Sequence, residues 1–195
     1  MKSEYTDKEC KAIEDGGFID QDGKWNSIVV DPISGELCRK RVETLVIKDK
    51  TKIYLWLQSS GRYKIPGGST ERDIDDMTQA CHECREEARL DVKNIVDTGI
   101  EYTEITNFPD WAKTKHIGLK WNGKISRVYV AEFNKKYRGN IDELDRDELL
   151  KYGQFYDIND VFEILRPEHQ KALIDVLHIQ PVCENIDTMK CKLFN

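Results

Sequence analysis

The chain has 195 residues, 39% of them hydrophobic and 34% charged, with a formal net charge of −6, which fits one domain with a real core and argues against a broad nucleic-acid-binding face. No apolar run approaches the length that spans a bilayer, and the opening MKSEYTDKECKAIEDGG has no hydrophobic signal core. The six cysteines are scattered rather than paired, so a disulfide framework is not expected and a reducing, cytoplasmic setting is.

Residues 1–24 are polar and broken by Gly16, Gly17 and Gly23, which predicts an irregular or short-helical lead-in to a domain over 25–178. Strand-like runs follow at NSIVVD (26–31), RKRVETLVIKD (39–49) and KIYLWLQSS (52–60), separated by the turn signals PISGE and KDKTK. Within the second run Arg39 and Arg41 share one face and Lys40 takes the other. RYKIPGG reads as a short strand closing in a turn, with Arg62 and Lys64 just ahead of Gly67 and Gly68. From about Asp75 the period changes, and Met77, Ala80, Cys81, Cys84 and Ala88 recur at helical spacing.

Strands return at 92–105 and 124–133. Between them TNFPDWAKTKHIGLKWNG mixes aromatics with Lys113, Lys115 and Lys120, which suits either a nucleobase stack with phosphate contacts or a loop anchored by its tryptophans. An acidic stretch (141–150) precedes the strand QFYDI and a helical end with Pro167 at a helix start, and residues 179–195 read as a tail. The expected architecture is α/β (α+β), a mixed sheet between one central helix and a C-terminal helix.

The central helix carries the chemistry. At about 100° per residue, Glu83, Glu86 and Glu87 fall on one narrow face, roughly a third of a turn from the apolar stripe. Three adjacent carboxylates repel one another, and Arg85 and Arg89 point elsewhere. A hard divalent cation, magnesium or manganese, would offset that repulsion. Pro66-Gly67-Gly68 permits close backbone approach and unusual φ values, so a phosphate beside carboxylate-held metal at this bend suits pyrophosphate cleavage. The plain alternative is a solvated acidic face. CHEC, residues 81–84, has no second C-x-x-C to complete a zinc site, and both cysteines belong to the apolar stripe, where they act as small hydrophobes. His169 and His178 are read as structural.

Residues 67–90 resemble, in degenerate form, the signature of the Nudix hydrolases, G-x5-E-x7-R-E-U-x-E-E-x-G-U. Gly68 matches its glycine, and Glu83, Glu86 and Glu87 match its metal-binding glutamates without a gap. Ile74 stands where the signature has its first glutamate, His82 where it has arginine, and Arg89 where it has the late glycine. Arg89 must therefore either tolerate left-handed backbone or let the helix run on. CRKRVETLVI, LQSSGRYKIPGG and FYDINDVFEILRPEHQKALIDVL make the wider chain similar to diphosphoinositol-polyphosphate and dinucleoside-polyphosphate phosphohydrolases. The resemblance implies a magnesium- or manganese-dependent pyrophosphohydrolase acting on a small phosphorylated substrate. It implies Glu83, Glu86, Glu87 and Gly67 as the metal site, with His82 beside them in the catalytic set. It implies Arg39, Arg41, Arg62, Lys64, Gly67 and Gly68 as substrate contacts, and Lys113 and Lys115 are candidates with them. The departures at 74, 82 and 89 favour a rival of another class, a module of the same fold that binds a nucleotide or phosphorylated ligand without cleaving it.

Overall fold

The computed structural model describes residues 5–20, 23, 25–57, 62–105, 119, 122–138 and 152–178. Its sheet grows outward from one parallel pair, β3 (Leu37–Lys48) and β7 (Gly123–Lys136), in register from Cys38↔Gly123 to Ile47↔Glu132. Residues 42–47 of β3 are buried on both faces, the pattern of a strand covered from two sides.

The first residues of β3 pair antiparallel with β2 (Trp25–Val30), which pairs in turn with β1 (Gly17–Ile19). The end of β3 turns through Asp49 and Lys50, at φ +54° and +60°, into β4 (Lys52–Leu57). Lys48 pairs with Lys52 around this three-residue connection, and its carbonyl accepts from the Thr51 N–H at 3.3 Å across the left-handed pair. β4 carries β5 (Tyr63–Lys64) and β8 (Gln154–Asp157), and β6 (Leu90–Ile105) runs antiparallel along β7.

Helices cover both faces. α1 (Asp7–Glu14) opens with a reciprocal cap between Thr6 and Glu9. α2 (Asp76–Glu86) sets Ala80 against Val42 and Tyr129, and Cys84 and Ala88 against Val46, Tyr54 and Leu90. On the opposite face α3 (Ile158–Val161) and α4 (Pro167–Leu177) pack Ile158, Val161, Ala172 and Leu173 onto Leu45, Ile47, Leu55, Val128 and Val130. The expected mixed sheet between two helical layers is the fold of the chain. None of the described helices is long and apolar enough to cross a membrane.

The sequence reading is corrected at Gly17. It is a strand residue rather than a breaker, because the Trp25 indole lies so close that a Cβ there would stand 2.4 Å from Cζ2. Gly16, at φ +69°, does break the chain, between α1 and β1. Lys113, Lys115, the acidic stretch and the tail fall outside the described residues.

Asp75 starts α2 by accepting from the Thr78 N–H at 2.9 Å. The helix ends at Glu86, and three residues on Arg89 takes φ +58° while its carbonyl accepts from the Tyr137 N–H at 2.8 Å. Of the two alternatives at this position, left-handed backbone is the one adopted. A non-glycine residue there costs about 1 kcal/mol or more, so Arg89→Gly is expected to raise the unfolding free energy by up to about 1 kcal/mol, read as a higher urea midpoint with unchanged slope.

Candidate active site

β2 leaves the edge of β3 after Arg39, and β4 joins it only at Ile47. The intervening backbone groups are taken by the glycine-rich turn. The Thr44 N–H donates to the Pro66 carbonyl at 2.8 Å and the Val42 N–H to the Gly68 carbonyl at 3.0 Å, and Ser69 bridges Arg41. A Cβ on Gly67 would stand 2.5 Å from the Val42 carbonyl oxygen, and one on Gly68 would stand 2.1 Å from Glu83 Oε1. Neither glycine has positive φ. The expectation of unusual backbone angles is therefore corrected: these glycines are needed for space.

α2 meets this turn with two of its three glutamates. Glu83 is buried, pressed against Gly68, and accepts from Gln79 Nε2 at 2.8 Å. Glu87 Oε2 accepts from the Gly67 N–H at 2.8 Å. Glu86 is exposed on the same side of the helix. Among the described residues no three histidine, cysteine or acidic side chains close around a point that could enclose an ion. Magnesium does not require such a cage, since it keeps several waters and commonly uses one or two carboxylates with substrate phosphates. The donors are hard oxygens, Gly68 leaves the space that Glu83 fills, and the buried Gln79 Oε1 has no hydrogen-bond partner among the described residues. The residues fit a magnesium or manganese ion in that open form.

The basic strand behaves as its alternation predicts. Arg41 Nη2 donates to the Gly67 carbonyl at 2.7 Å and Arg39 Nη2 to Ser69 Oγ, while Lys40 on the other face pairs with Asp76 at 2.7 Å. Burial, with Arg41 close by, lowers the Arg39 guanidinium from its ordinary value. Both arginines thus fasten the turn. The Gly67 carbonyl, expected as a metal ligand, already accepts from Arg41 and has a second lone pair to offer. Arg62 and Lys64 are exposed, with the Lys64 ammonium 5.4 Å from the centre of the Trp56 ring. His82 is half-buried and donates to no described residue, so Glu87 is oriented by the turn's own N–H instead. Cys84 is fully buried and its thiol is pushed up by that burial, as a packing residue requires.

One cluster beneath the turn escaped the sequence reading. Glu43, whose Cγ faces Gly67, is buried inside β3. Its Oε2 accepts from Tyr102 Oη at 2.5 Å and lies 3.1 Å from His169 Nε2, and Ser126 Oγ donates to Oε1 at 3.3 Å. Tyr63 Oη accepts from the Arg166 N–H at 2.8 Å and sits 2.7 Å from His169 Nδ1. All these atoms are satisfied when Tyr63 donates to Nδ1 and the neutral imidazole donates from Nε2 to Glu43. Burial opposes ionisation of Glu43. The bonds from His169 and Tyr102 outweigh it and lower the carboxyl from 4.5 to about 2. The signal was present in VETLVI, a glutamate inside an apolar strand run.

No family model matches the chain, and no curated protein does. Solved structures do. A Nudix hydrolase from Nitrosomonas europaea is 14% identical over 72% of this chain and 88% of its own, with a TM-score of 0.48. The E. coli dihydroneopterin triphosphate pyrophosphohydrolase is 9% identical over 71% and 94%, with a TM-score of 0.48. A C. elegans Ap4A hydrolase is 16% identical over 70% and 94%, with a TM-score of 0.43. These are likenesses of chain path alone.

The Glu43 cluster makes acid stability testable. A carboxyl lowered on folding stabilises fully above its unfolded value, and that stabilisation is lost as pH falls from about 4.5 to about 2. Glu43→Gln is expected to cost about 3 kcal/mol near neutral pH, with the gap to wild type narrowing below pH 4.5. Urea midpoints across that range check it, and a gap independent of pH contradicts it.

Proposed function

We propose that the chain is a magnesium-dependent pyrophosphohydrolase of the Nudix type. Its substrate is a nucleoside-diphosphate derivative, a dinucleoside polyphosphate or a diphosphoinositol polyphosphate. The observation that carries this reading is the junction of Gly67 and Gly68 with Glu83 and Glu87, which brings carboxylates against backbone that a substrate phosphate can approach.

Glu83, Glu86 and Glu87 would hold the cation, with the Gly67 carbonyl beside them. Bound there, magnesium would withdraw charge from the phosphate oxygens and acidify an attacking water. Gly67 and Gly68 keep side chains out of the phosphate's path. Arg39 and Arg41 hold the turn in place and put two positive charges at its far side, where substrate phosphates benefit. A carboxylate of the cluster takes the proton from the water as it attacks phosphorus, and two phosphate products leave. The cytosol is the setting that this chemistry suits, and with it Cys10, Cys38, Cys81 and Cys84, which are unpaired among the described residues.

A second reading, binding without cleavage, is favoured by His82, whose side chain makes no hydrogen bond to a described residue where the signature has arginine. Phosphate release over a panel of diphosphate compounds separates the two. Glu87→Gln and Glu86→Gln are each expected to lower magnesium-dependent turnover by more than the roughly hundredfold loss typical of an outer-shell partner. Tight ligand binding with no turnover at any magnesium or manganese concentration supports the module instead. His82→Arg, which supplies a permanent cation beside the glutamates, is expected to raise kcat, and an unchanged kcat would remove position 82 from the catalytic set.

A further inference from the structure

The segment ahead of β2 builds a second concavity. α1, β1 and β2, with the loop that follows Gly68, enclose a cavity of about 460 Å3 whose lining includes Lys8, Lys11, Phe18, Trp25, Arg72 and Leu119. That volume lies in the range of small-molecule sites.

Its walls follow from local packing. The Trp25 ring lies against the bare backbone of Gly17, and its Nε1 donates to Ser27 Oγ at 3.0 Å. With its polar atom satisfied, the indole can line a cavity with hydrocarbon. The Arg72 guanidinium stands 5.0 Å from the centre of that ring, held by cation–π attraction. Lys8 and Lys11 are neighbours one turn apart on α1. Among the described residues Asp15 is the one carboxylate in the lining, so three cations face one acid there in a chain whose net charge is −6. Apolar walls under a cationic rim select a flat apolar group that bears an anion.

The cavity is tied to the turn. Ser27 Oγ donates to the Thr70 carbonyl at 2.7 Å, so the bond that starts at Trp25 ends on the glycine-rich segment. Arg72 is four residues beyond Gly68, which places their backbones within about 14 Å, the reach of four extended residues. A ribose and its phosphates can bridge that interval.

We propose that this cavity is a nucleoside-phosphate subsite, with an aromatic base at the apolar wall that Trp25 provides and phosphate at Lys8, Lys11 and Arg72. As the base end of the cleaved substrate it rests on the hydrolase reading, and it favours nucleotidyl diphosphates over inositol polyphosphates, which have no aromatic face for the apolar walls.

The test titrates the full chain in EDTA, by calorimetry, with AMP, adenosine, inorganic phosphate and inositol hexakisphosphate. AMP is expected to bind more tightly than the other three. The double variant Lys8→Ala/Lys11→Ala and the variants Arg72→Ala and Trp25→Leu should each weaken AMP by at least about tenfold, with circular dichroism unchanged. Lys171→Ala, an exposed change on α4 away from both the cavity and the turn, should bind AMP as wild type does. AMP affinity equal across these variants, absent AMP binding, or inositol hexakisphosphate binding as tightly as AMP would overturn the subsite. Magnesium-dependent turnover that persists in any of those cases leaves the hydrolase reading standing. AMP binding as expected with no turnover on any diphosphate removes the hydrolase reading and keeps the cavity.

Discussion

The free stretch of β3's edge governs the rest of the site. A strand edge presents unpaired N–H and C=O groups that something must satisfy. β2 and β4 leave residues 40–46 of that edge open, and the segment from Pro66 to Thr70 fills it. Once it lies there, its position relative to the sheet is fixed by those backbone bonds, with the Arg39 and Arg41 side chains fastening it further. α2 follows after a short loop and packs on β3 through Val42 and Ala80, so its glutamate face is brought to the turn by core packing. The Glu87 bond to the Gly67 N–H and the Glu83 contact with Gly68 are consequences of those two anchors.

Much of this was legible in the sequence because it depends on periodicity. The three glutamates, the apolar stripe and the alternation of Arg39, Lys40 and Arg41 all follow from fixed angles per residue. Spacing alone could not show what a side chain meets across the fold. Gly17 read as a breaker because its partner, Trp25, lies on another strand. Of the two roles the sequence offers for Gly67 and Gly68, close approach is the one used, against Val42 and Glu83, and unusual φ is not. Arg39 and Arg41 were read as phosphate contacts, and their bonds run to the turn itself. The Glu43 cluster joins residues from β3, β5, β6, β7 and α4, and nothing local links those five segments.

That cluster also bears on rigidity at the site. A buried carboxylate is costly unless every lone pair finds a donor, and Glu43 finds three. The arrangement ties α4 through His169 to the strand beneath Gly67. Replacing buried ionic sets with apolar groups is often neutral for stability, yet here it would remove the directional bonds that fix Glu43 against the turn. Its value to the fold is therefore one of geometry as much as of energy.

The departures from the signature each meet a local answer. Where glycine is absent at 89, the left-handed turn is kept and the Tyr137 N–H holds the Arg89 carbonyl. Where arginine is absent at 82, Glu87 takes a backbone donor from Gly67. The donors seen at Glu83 and Glu87, a side-chain amide and a peptide N–H, are both neutral. A neutral donor orients a carboxylate while leaving its charge in place, and Arg85 on the same helix pairs with Asp91 at 2.8 Å. A guanidinium would orient it more strongly, because a charged donor makes the stronger bond. The turn thus fixes where these oxygens stand by geometry, with the weaker of the two kinds of bond.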